Sequence, residues 1–382
     1  KYATRHKDKT LIADMNSFKN AVEAKAPQSA IEQYTSTMFY APNVSWIAMR
    51  SGMDKQHDLM ASVNGSLGNH AHANGISLEL YGKGYVLGPD AGIGKFLYSG
   101  LDYLEYYSQM PAHNTVVVDG VSSYPVMMSQ HGFKLIASYP EVSKEQPASK
   151  KLAEQKERMT YATVSFIEPE TQALQQRTTA IVKTSDKGGY YIDVFRSKRQ
   201  DGGDKTHDYF YHNLGQEMKV MDAATDKPLD MKPTEELAFA GGHLYAYSYI
   251  YNKESADMTS SVKTQFVTKI ADEAYNALFF TILQLDDDAH AALRVRHEVV
   301  NRCNVARLGV RAGLVDTNER MGPSLALLSC NESQDGLILD IIRLMGHTLV
   351  FEVGWRKGLE DGAVGVGLHP HGHGYRPKPC SS

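Results

Sequence analysis

The chain has 382 residues, of which 42% are hydrophobic and 22% charged, and its formal net charge at pH 7 is −4. These values are typical of a globular protein with a sizeable core, and the acidic balance argues against a general nucleic-acid-binding surface. The sequence contains no apolar run of about 18 residues or more, which predicts that no helix spans a membrane. Its three cysteines are far apart, and their spacing predicts neither a dense disulfide framework nor a cysteine-based metal site.

The predicted elements begin with helix and continue with strands. The stretch TLIADMNSFKNAVEAKAPQSAIEQYTST, at 10–37, has apolar residues at helical spacing and is interrupted by Pro27. Beyond residue 40, five short segments predict strands: WIAMRSG, ISLELYGKGYVLG, NTVVVDG, TTAIVKTSDKGGYYIDVFRS and HLYAYSYIYN. The sequences YGKGY and SDKGG predict hairpin turns, and residues 143–158 predict a surface loop or a short helix. Many short strands with close turns predict an antiparallel β-sandwich.

The pattern is less clear beyond residue 255. The segment DEAYNALFFTILQLDDDAHAALRVRHEVV is compatible with strand or helix, and the end of the chain, rich in glycine, histidine and proline, predicts a poorly ordered tail. HPHGHG, at 369–374, contains metal-binding residue types, but no strand frames it, which favours a solvated tail. We therefore divide the chain into a helical segment (1–40), a β-sandwich (41–255), and a further β-rich module with a tail (256–382).

Four polar side chains surround one predicted hairpin. His70 and His72 precede its first strand, Asp90 ends its second strand, and His113 precedes the next strand. Residues i and i+2 of an extended segment point to the same face, so we expect both His70 and His72 on one face, with Asp90 returning to the same end of the hairpin. Two histidines and one aspartate from neighbouring strands would suit Zn²⁺ or a similar ion. Ordinary polar surface is the alternative interpretation.

These motifs carry a resemblance to a known family. GNHAHANGISLELYGKGYVLGPDAG, followed by YLEYYSQMPAHNTVVVDG, resembles the C-terminal module of heparinase II/III-type polysaccharide lyases, over about residues 35–255. YYSQMPAHNTVVVDGVSSYPVM and HDYFYHNLGQEM are most similar to the exolytic heparin-lyase branch, with oligoalginate lyases as the second choice. Asn74 stands where the family usually has aspartate. The family carries a large helical (α/α) toroid before this module, so residues 1–40 would be the end of that toroid.

The resemblance implies a reaction and assigns roles. Lyases of this type cleave uronic-acid glycans by β-elimination, which needs a base at C5, an acid for the leaving O4, and neutralisation of the uronate carboxylate. By resemblance, His70 is catalytic, and Tyr98 is offered to the substrate or is simply a packed aromatic residue. His72, Asp90 and His113 are implied to bind one divalent metal, Zn²⁺ being the first choice, in a structural role.

The remaining expectations concern partners and alternatives. The expected partners are an acidic oligosaccharide substrate, the toroid of the same enzyme and, as an open alternative, a second copy in a homodimer. Heparin or heparan sulfate is the favoured substrate, and the bacterial periplasm or the exterior of the cell is the expected location.

FRSKRQ, at 195–200, is a candidate sulfate contact, with a solvated turn as the alternative. The 22 tyrosines suit either sugar contact or core packing. The alternative to a lyase is a carbohydrate-binding β-sandwich without catalytic activity.

Overall fold

The structure is a computed structural model that describes residues 16–17, 20, 31–92, 94, 101–122, 128–154, 158–203, 206–234, 245–257, 261–270, 273–284, 291–300, 303–312, 324–329 and 356–357. The predictions made for Tyr98, for the tail beyond residue 357 and for most of the first 30 residues lie outside these ranges. Across the described ranges, no helix is both long and apolar enough to cross a membrane.

The described residues are mostly strands, and every strand pair is antiparallel. The first sheet has six strands in the order β1–β2–β3–β4–β5, with β7 paired to β3: β1 (Met38–Ala41), β2 (Trp46–Arg50), β3 (Leu59–Asn69), β4 (Ile76–Gly82), β5 (Tyr85–Gly88) and β7 (Met128–His131). The third sheet, also of six strands, contains β14 (Lys232–Pro233), β15 (Tyr251–Asp257), β18 (Ala291–Val300), β19 (Cys303–Ala312), β12 (Thr206–Leu214) and β6 (Val116–Val118), in that order.

The second sheet is the largest of the three. Its nine strands include, in spatial order, β13 (Glu217–Asp222), β16 (Val262–Ile270), β17 (Glu273–Gln284), β20 (Ser324–Ser329), β11 (Gly188–Arg199), β10 (Ala173–Ser185), β9 (Met159–Ile167) and β8 (Lys134–Tyr139), while β21 (Arg356–Lys357) pairs with β17. Short helical turns form at Pro42–Val44, Tyr103–Tyr107, Met110–Ala112, Leu152–Glu154 and Tyr245–Ser248. The Tyr103–Tyr107 turn is π-helical.

The hairpin of β4 and β5 follows directly from its sequence. Ile76, Leu78 and Leu80 alternate with polar residues and are buried in the core. The turn between the strands is Lys83–Gly84, and both residues have positive φ, 56° and 82°. Two consecutive positive φ values match a type I′ turn, which suits the right-handed twist of paired strands and favours glycine. The predicted hairpin is therefore confirmed.

A buried ion pair joins the three sheets. Arg177 on β10 is fully buried and bonds Asp193 of β11 through two parallel contacts of 2.7 and 2.9 Å. Its other donors reach the Ile76 carbonyl at 2.6 Å, the Asn114 carbonyl at 2.7 Å and the Tyr209 hydroxyl at 2.9 Å. All five guanidinium hydrogens can therefore be used, which offsets the cost of burying the charge.

The predicted mainly β, antiparallel architecture is confirmed, and β3 packs on β10 and β11. One predicted strand is wrong in its first half: HLYAYSYIYN forms the helical turn Tyr245–Ser248 before β15 begins at Tyr251. Tyr247 explains this difference, because its ring packs edge-on against Phe210 and its hydroxyl donates to Asp208 at 2.7 Å.

The ambiguous segment after 272 forms two strands, β17 and β18. The proposed boundary at residue 255 falls within β15, and strands on both sides of it pair in the same sheets.

Candidate functional site

Asp90 and His113 form the centre of the candidate site. Asp90 lies just beyond β5, and His113 lies between the Met110–Ala112 turn and β6. Asp90 Oδ2 is 2.7 Å from His113 Nδ1, and Asp90 Oδ1 accepts a 2.7 Å bond from the Gly92 backbone N–H. Burial acts to raise the pKa of Asp90, but the charge and hydrogen bond of His113 outweigh it and lower the pKa to about 2. An ionised carboxylate only accepts hydrogen bonds, so His113 Nδ1 carries the hydrogen.

The other nitrogen of His113 has no hydrogen-bond partner in the part of the chain that the structure describes. The His113 side chain is fully buried, and its Nε2 makes no hydrogen bond among the described residues. A buried polar atom without a partner costs free energy, so such an atom calls for an explanation. In the neutral ring, Nε2 presents a lone pair, which suits a metal ion or the hydrogen of a ligand.

The ring of His72 lies next to that of His113. Its ring centroid lies 5.4 Å from that of His113 and 5.5 Å from that of Tyr103 on the π-helical turn. Burial and the neighbouring His113 lower the pKa of His72 to about 4, against the opposing charge of Asp90. His72 is therefore neutral at pH 7, which is the state in which imidazole binds a metal.

The hairpin brings His72, Asp90 and His113 together, but not as three ligands. Both Asp90 oxygens are already engaged, by His113 and Gly92, and no group of three His, Cys, Asp or Glu side chains in the described part of the chain is arranged to hold a metal. Two neighbouring imidazoles, one with a bare buried nitrogen, suit a divalent ion, and Asp90 takes the position of a carboxylate that orients a histidine ligand. This differs from the predicted three-ligand set, and metal binding itself stays a prediction.

The extended conformation from which a shared face for His70 and His72 was predicted is not present at His70. β3 ends at Asn69, and His70 adopts a left-handed backbone with φ of 62°. The alternation of an extended chain therefore stops there, because the segment between β3 and β4 is a turn. The His70 side chain is exposed, whereas that of His72 is half-buried. Tyr98 lies outside the described residues, so the expected proximity of His70 and Tyr98 stays a prediction.

Asn114 organises the surroundings of the pair, and the sequence reasoning missed its role. Its side-chain nitrogen donates to the carbonyls of Leu78 at 2.9 Å and Pro89 at 3.2 Å, which ties β4 to the residue before Asp90. Its Oδ1 accepts from the backbone N–H of His212 at 2.6 Å and lies 3.0 Å from the His212 Nδ1. The motif AHNT, which drew attention to His113, contained this signal.

His212 extends the polar chain into the core. It is 1% exposed, and its Nε2 lies 3.3 Å from the hydroxyl of Tyr106. Burial first, and then the neighbouring His113, lower the pKa of His212 to about 3 despite the charge of Asp90. A neutral His212 donates from Nδ1 to Asn114 and accepts from Tyr106, so both ring nitrogens are satisfied.

A carboxyl–tyrosine pair occupies the other face of β4. Glu79 Oε1 accepts from the Asn64 amide at 3.1 Å, and Glu79 Oε2 accepts from the Tyr81 hydroxyl. Burial raises the pKa of Glu79, and the charge of Asp90 adds to this effect. The alternation of β4 placed these two residues on the face away from the core, but the sequence alone did not indicate that they pair.

Asn74 stands where the resemblance predicted an aspartate, and its contacts are local. Its backbone N–H donates to the Ser66 hydroxyl at 2.7 Å, and its side-chain nitrogen lies 3.5 Å from the Gly65 carbonyl. The Oδ1 atom is buried and makes no hydrogen bond among the described residues. These contacts tie the turn that follows His72 back to β3.

Comparison with known proteins shows what the chain is similar to. The family model described as heparinase II/III-like, C-terminal, matches residues 35–186, which contain His70, His72, Asp90 and His113. An endo-acting ulvan lyase of Formosa agariphila is 31% identical over 188 residues, covering 47% of this chain and 22% of that enzyme. The chain thus spans about a fifth of the length of this relative.

Two solved structures give weaker likenesses. A heparinase III shares 12% identity over 77% of this chain and 36% of its own, with a TM-score of 0.44. The heparan sulfate lyase HepC of Pedobacter heparinus shares 13% identity over 85% of this chain and 42% of its own, with a TM-score of 0.42.

Proposed function

We propose that the chain is the C-terminal part of a polysaccharide lyase that cleaves uronic-acid glycans by β-elimination, because residues 35–186 match the heparinase II/III-like C-terminal family model. The observation that carries the proposal is the family match over the residues that include Asp90 and its partner, the buried His113. A helical toroid upstream of this chain belongs to the proposal, and so does a location in the bacterial periplasm or outside the cell. Cell fractionation that finds the protein in the cytoplasm would contradict the location.

β-Elimination requires three functions at one sugar: neutralisation of a charge, a general base and a general acid. The C5 proton of a uronate is weakly acidic, so its carboxylate must be neutralised while a base removes the proton and an acid protonates the leaving O4. In this proposal the exposed imidazole of His70 acts on the sugar as the acid–base group, since an imidazole can both accept and donate a proton. Tyr98 is proposed as the second proton carrier.

Asp90 and His113 have a positioning role in this proposal. Asp90 holds the His113 ring by accepting from Nδ1, and Asn114 fixes the chain before Asp90. His72 and His113 would hold a divalent metal ion, with Zn²⁺ as the first choice, and Asp90 would orient His113. When bound, the ion would supply positive charge and cross-link the hairpin to the segment before β6, next to the turn that carries His70.

The substrate is proposed from two sources. The motifs of the sequence favour exolytic cleavage of heparin or heparan sulfate, with oligoalginate as the alternative. The relative that is 31% identical is an endo-acting ulvan lyase, which adds ulvan as a candidate substrate and internal cleavage as a candidate mode. All of these polymers carry uronic acids, so the proposed chemistry is the same. Product length separates the modes: an exolytic enzyme releases short products from the start, and an endolytic enzyme first produces long ones.

The test measures absorbance of the unsaturated uronate with the full natural polypeptide on heparan sulfate, alginate oligosaccharides and ulvan. We expect His70→Ala to lower the rate by about 10²–10⁴-fold, the usual range for a general acid–base group. His57→Ala is the matched control, because His57 pairs with Asp54 in the connection before β3, which lies next to the Lys83–Gly84 turn, at the opposite end of the hairpin from Asp90. Affinity for these glycans without any unsaturated product would replace the proposal with a non-catalytic sugar-binding module.

A further inference from the structure

The first sheet turns one face toward the core and the other face away from it. Ala61 of β3 and Leu80 of β4 lie opposite each other and are buried in the core. Successive side chains of a strand alternate between the two faces. Arg50, Met60 and Tyr81, which pair across β2, β3 and β4, therefore form a row on the outer face, the one that points away from the core. The function proposed above gives this row no role.

The outer face leads to the turn that carries His70. The backbone N–H of Asn74, in this turn, donates to the Ser66 hydroxyl at 2.7 Å. Ser66 lies six positions after Met60 on β3, which places both on the same face and corresponds to about 20 Å at roughly 3.3 Å per residue. A glycan bound at the candidate site can therefore reach Arg50 along this face if it spans several sugars.

Arg50 is a half-buried cation. Its guanidinium donates to the thioether of Met53 at 3.2 Å, and it makes no ion pair with any residue that the structure describes. Burial lowers the pKa of Arg50, and no carboxylate in the described ranges opposes this effect. A thioether sulfur is a weak acceptor, so a half-buried guanidinium with this partner pays part of the cost of desolvation without compensation. The position is complementary to an anion.

The carboxylates around Arg50 are bound to other groups. Asp54 and Asp58, in the loop after β2, bind a histidine and a lysine at 2.7 and 2.9 Å. Glu79, two strands away on the outer face, accepts from an asparagine amide at 3.1 Å and from a tyrosine hydroxyl. None of these three carboxylates is paired with Arg50, so none neutralises its charge.

Aromatic side chains lie on the same face. Trp46 is four positions before Arg50 on β2 and therefore shares its face. The Trp46 ring lies 6.3 Å from the ring of Phe39, which is 43% exposed, and Tyr81 stands in the row of Arg50. Flat rings with a polar edge match the C–H faces and hydroxyls of sugars. The outer face therefore combines a cation without a counter-charge and surfaces suited to sugar rings.

We propose that Arg50 binds an acidic group of the polysaccharide, at a sugar several units away from the one that is cleaved. A guanidinium fork matches the paired oxygens of a carboxylate or a sulfate. Partial burial strengthens the contact, because less water screens the two charges. The choice of a polysaccharide as the occupant rests on the proposed function, whereas the lack of a counter-charge for Arg50 among the described residues does not.

The first measurement needs no substrate. We expect Arg50→Met in the full natural polypeptide to unfold at the wild-type temperature or above it, because the substitution removes a half-buried charge and leaves no partner unpaired. Lys183→Met is the matched control: it deprives Asp58, 7% exposed, of its cation and should unfold at a lower temperature. An equal fall in both variants would show that Arg50 has a partner within the chain, and would refute the proposal.

The second measurement compares long and short substrates by the absorbance of the unsaturated uronate. We expect Arg50→Met to lower the ratio of kcat/KM on the polymer to kcat/KM on the shortest cleaved oligosaccharide by about tenfold, the usual effect of losing a charge-assisted contact. Arg50→Lys keeps the charge without the fork and should fall between wild type and Arg50→Met. Lys187→Met removes an exposed charge next to the hairpin turn, away from the outer face, and should leave the ratio unchanged.

The possible failures are distinct. An unchanged ratio in Arg50→Met, or an equal fall in Lys187→Met, would refute the contact and leave the lyase intact. Equal loss of activity on long and short substrates would assign Arg50 to the docking of the upstream helical part and overturn the proposal. If the wild type forms no unsaturated product, isothermal titration with heparan sulfate and ulvan decides: weaker binding by Arg50→Met would keep the anion site and refute the lyase, and equal binding would refute both.

Discussion

Arg177 offers the sharpest test of how this fold is held together. Arg177→Met keeps much of the stem volume but removes the charge, and it leaves the carboxylate of Asp193, 1% exposed, without its cation. The hydroxyls of Thr179 and Tyr209 still donate to Asp193, at 2.9 and 3.2 Å. The Ile76 and Asn114 carbonyls each lose a charged donor.

Removing one partner of a buried ion pair costs about 3–5 kcal/mol, because the other charge stays in the protein interior. We expect the upper part of this range, since the two carbonyls lose their guanidinium donor as well. A loss of this size is a large fraction of the roughly 5–15 kcal/mol by which domains are stable. The assay is urea denaturation, with the free energy of unfolding taken from the midpoint and slope.

The matched control is Arg199→Met. Arg199 pairs with Asp201 at 2.6 Å and with Asp119 at 3.1 Å, but it is 25% exposed, and the side chain of Asp201 is 57% exposed. Exposed pairs contribute about 0–1 kcal/mol, so this variant should unfold close to the wild type. Equal destabilisation by both substitutions would refute the reasoning. A double variant, Arg177→Met with Asp193→Leu, should be more stable than Arg177→Met alone, because no buried charge remains.

Three further outcomes are expected. The pKa of His212 is about 3 in the folded protein and about 6.5 in the unfolded chain. The contribution of neutral His212 to the free energy of unfolding is therefore complete above pH 6.5 and is lost as the pH falls from 6.5 toward 3, by at most about 5 kcal/mol. Thermal melts between pH 7 and 4 should show this loss of stability, and His212→Gln should reduce it. Elemental analysis should find about one Zn²⁺ per wild-type chain and much less in His113→Ala, and equal content would remove the metal from the proposal. Gly84→Val should cost about 1–2 kcal/mol, because φ is 82° there, and an unchanged melting temperature would contradict the type I′ turn.

The hairpin of β4 and β5 shows how much of the candidate site could be read from the sequence. The alternation of Ile76, Leu78 and Leu80 and the turn at Lys83–Gly84 are local properties, and they are sufficient to return the chain to its starting end. The strand alternation and the turn, both local in the sequence, therefore bring Asp90 close to the segment that contains His72.

Long-range packing decided the rest. His70 leaves the extended conformation because β3 ends before it, and Asp90 is engaged by His113, which follows a separate helical turn. Asn114 and His212 lie 98 positions apart, and they meet only because β12 pairs with β6 in the third sheet. The sequence alone determined the two strands of this hairpin and its turn, which depend on steric preferences a few residues apart, whereas it missed the helical turn Tyr245–Ser248. The tertiary structure determined which polar groups are buried together, since that depends on how the three sheets exclude water from the centre.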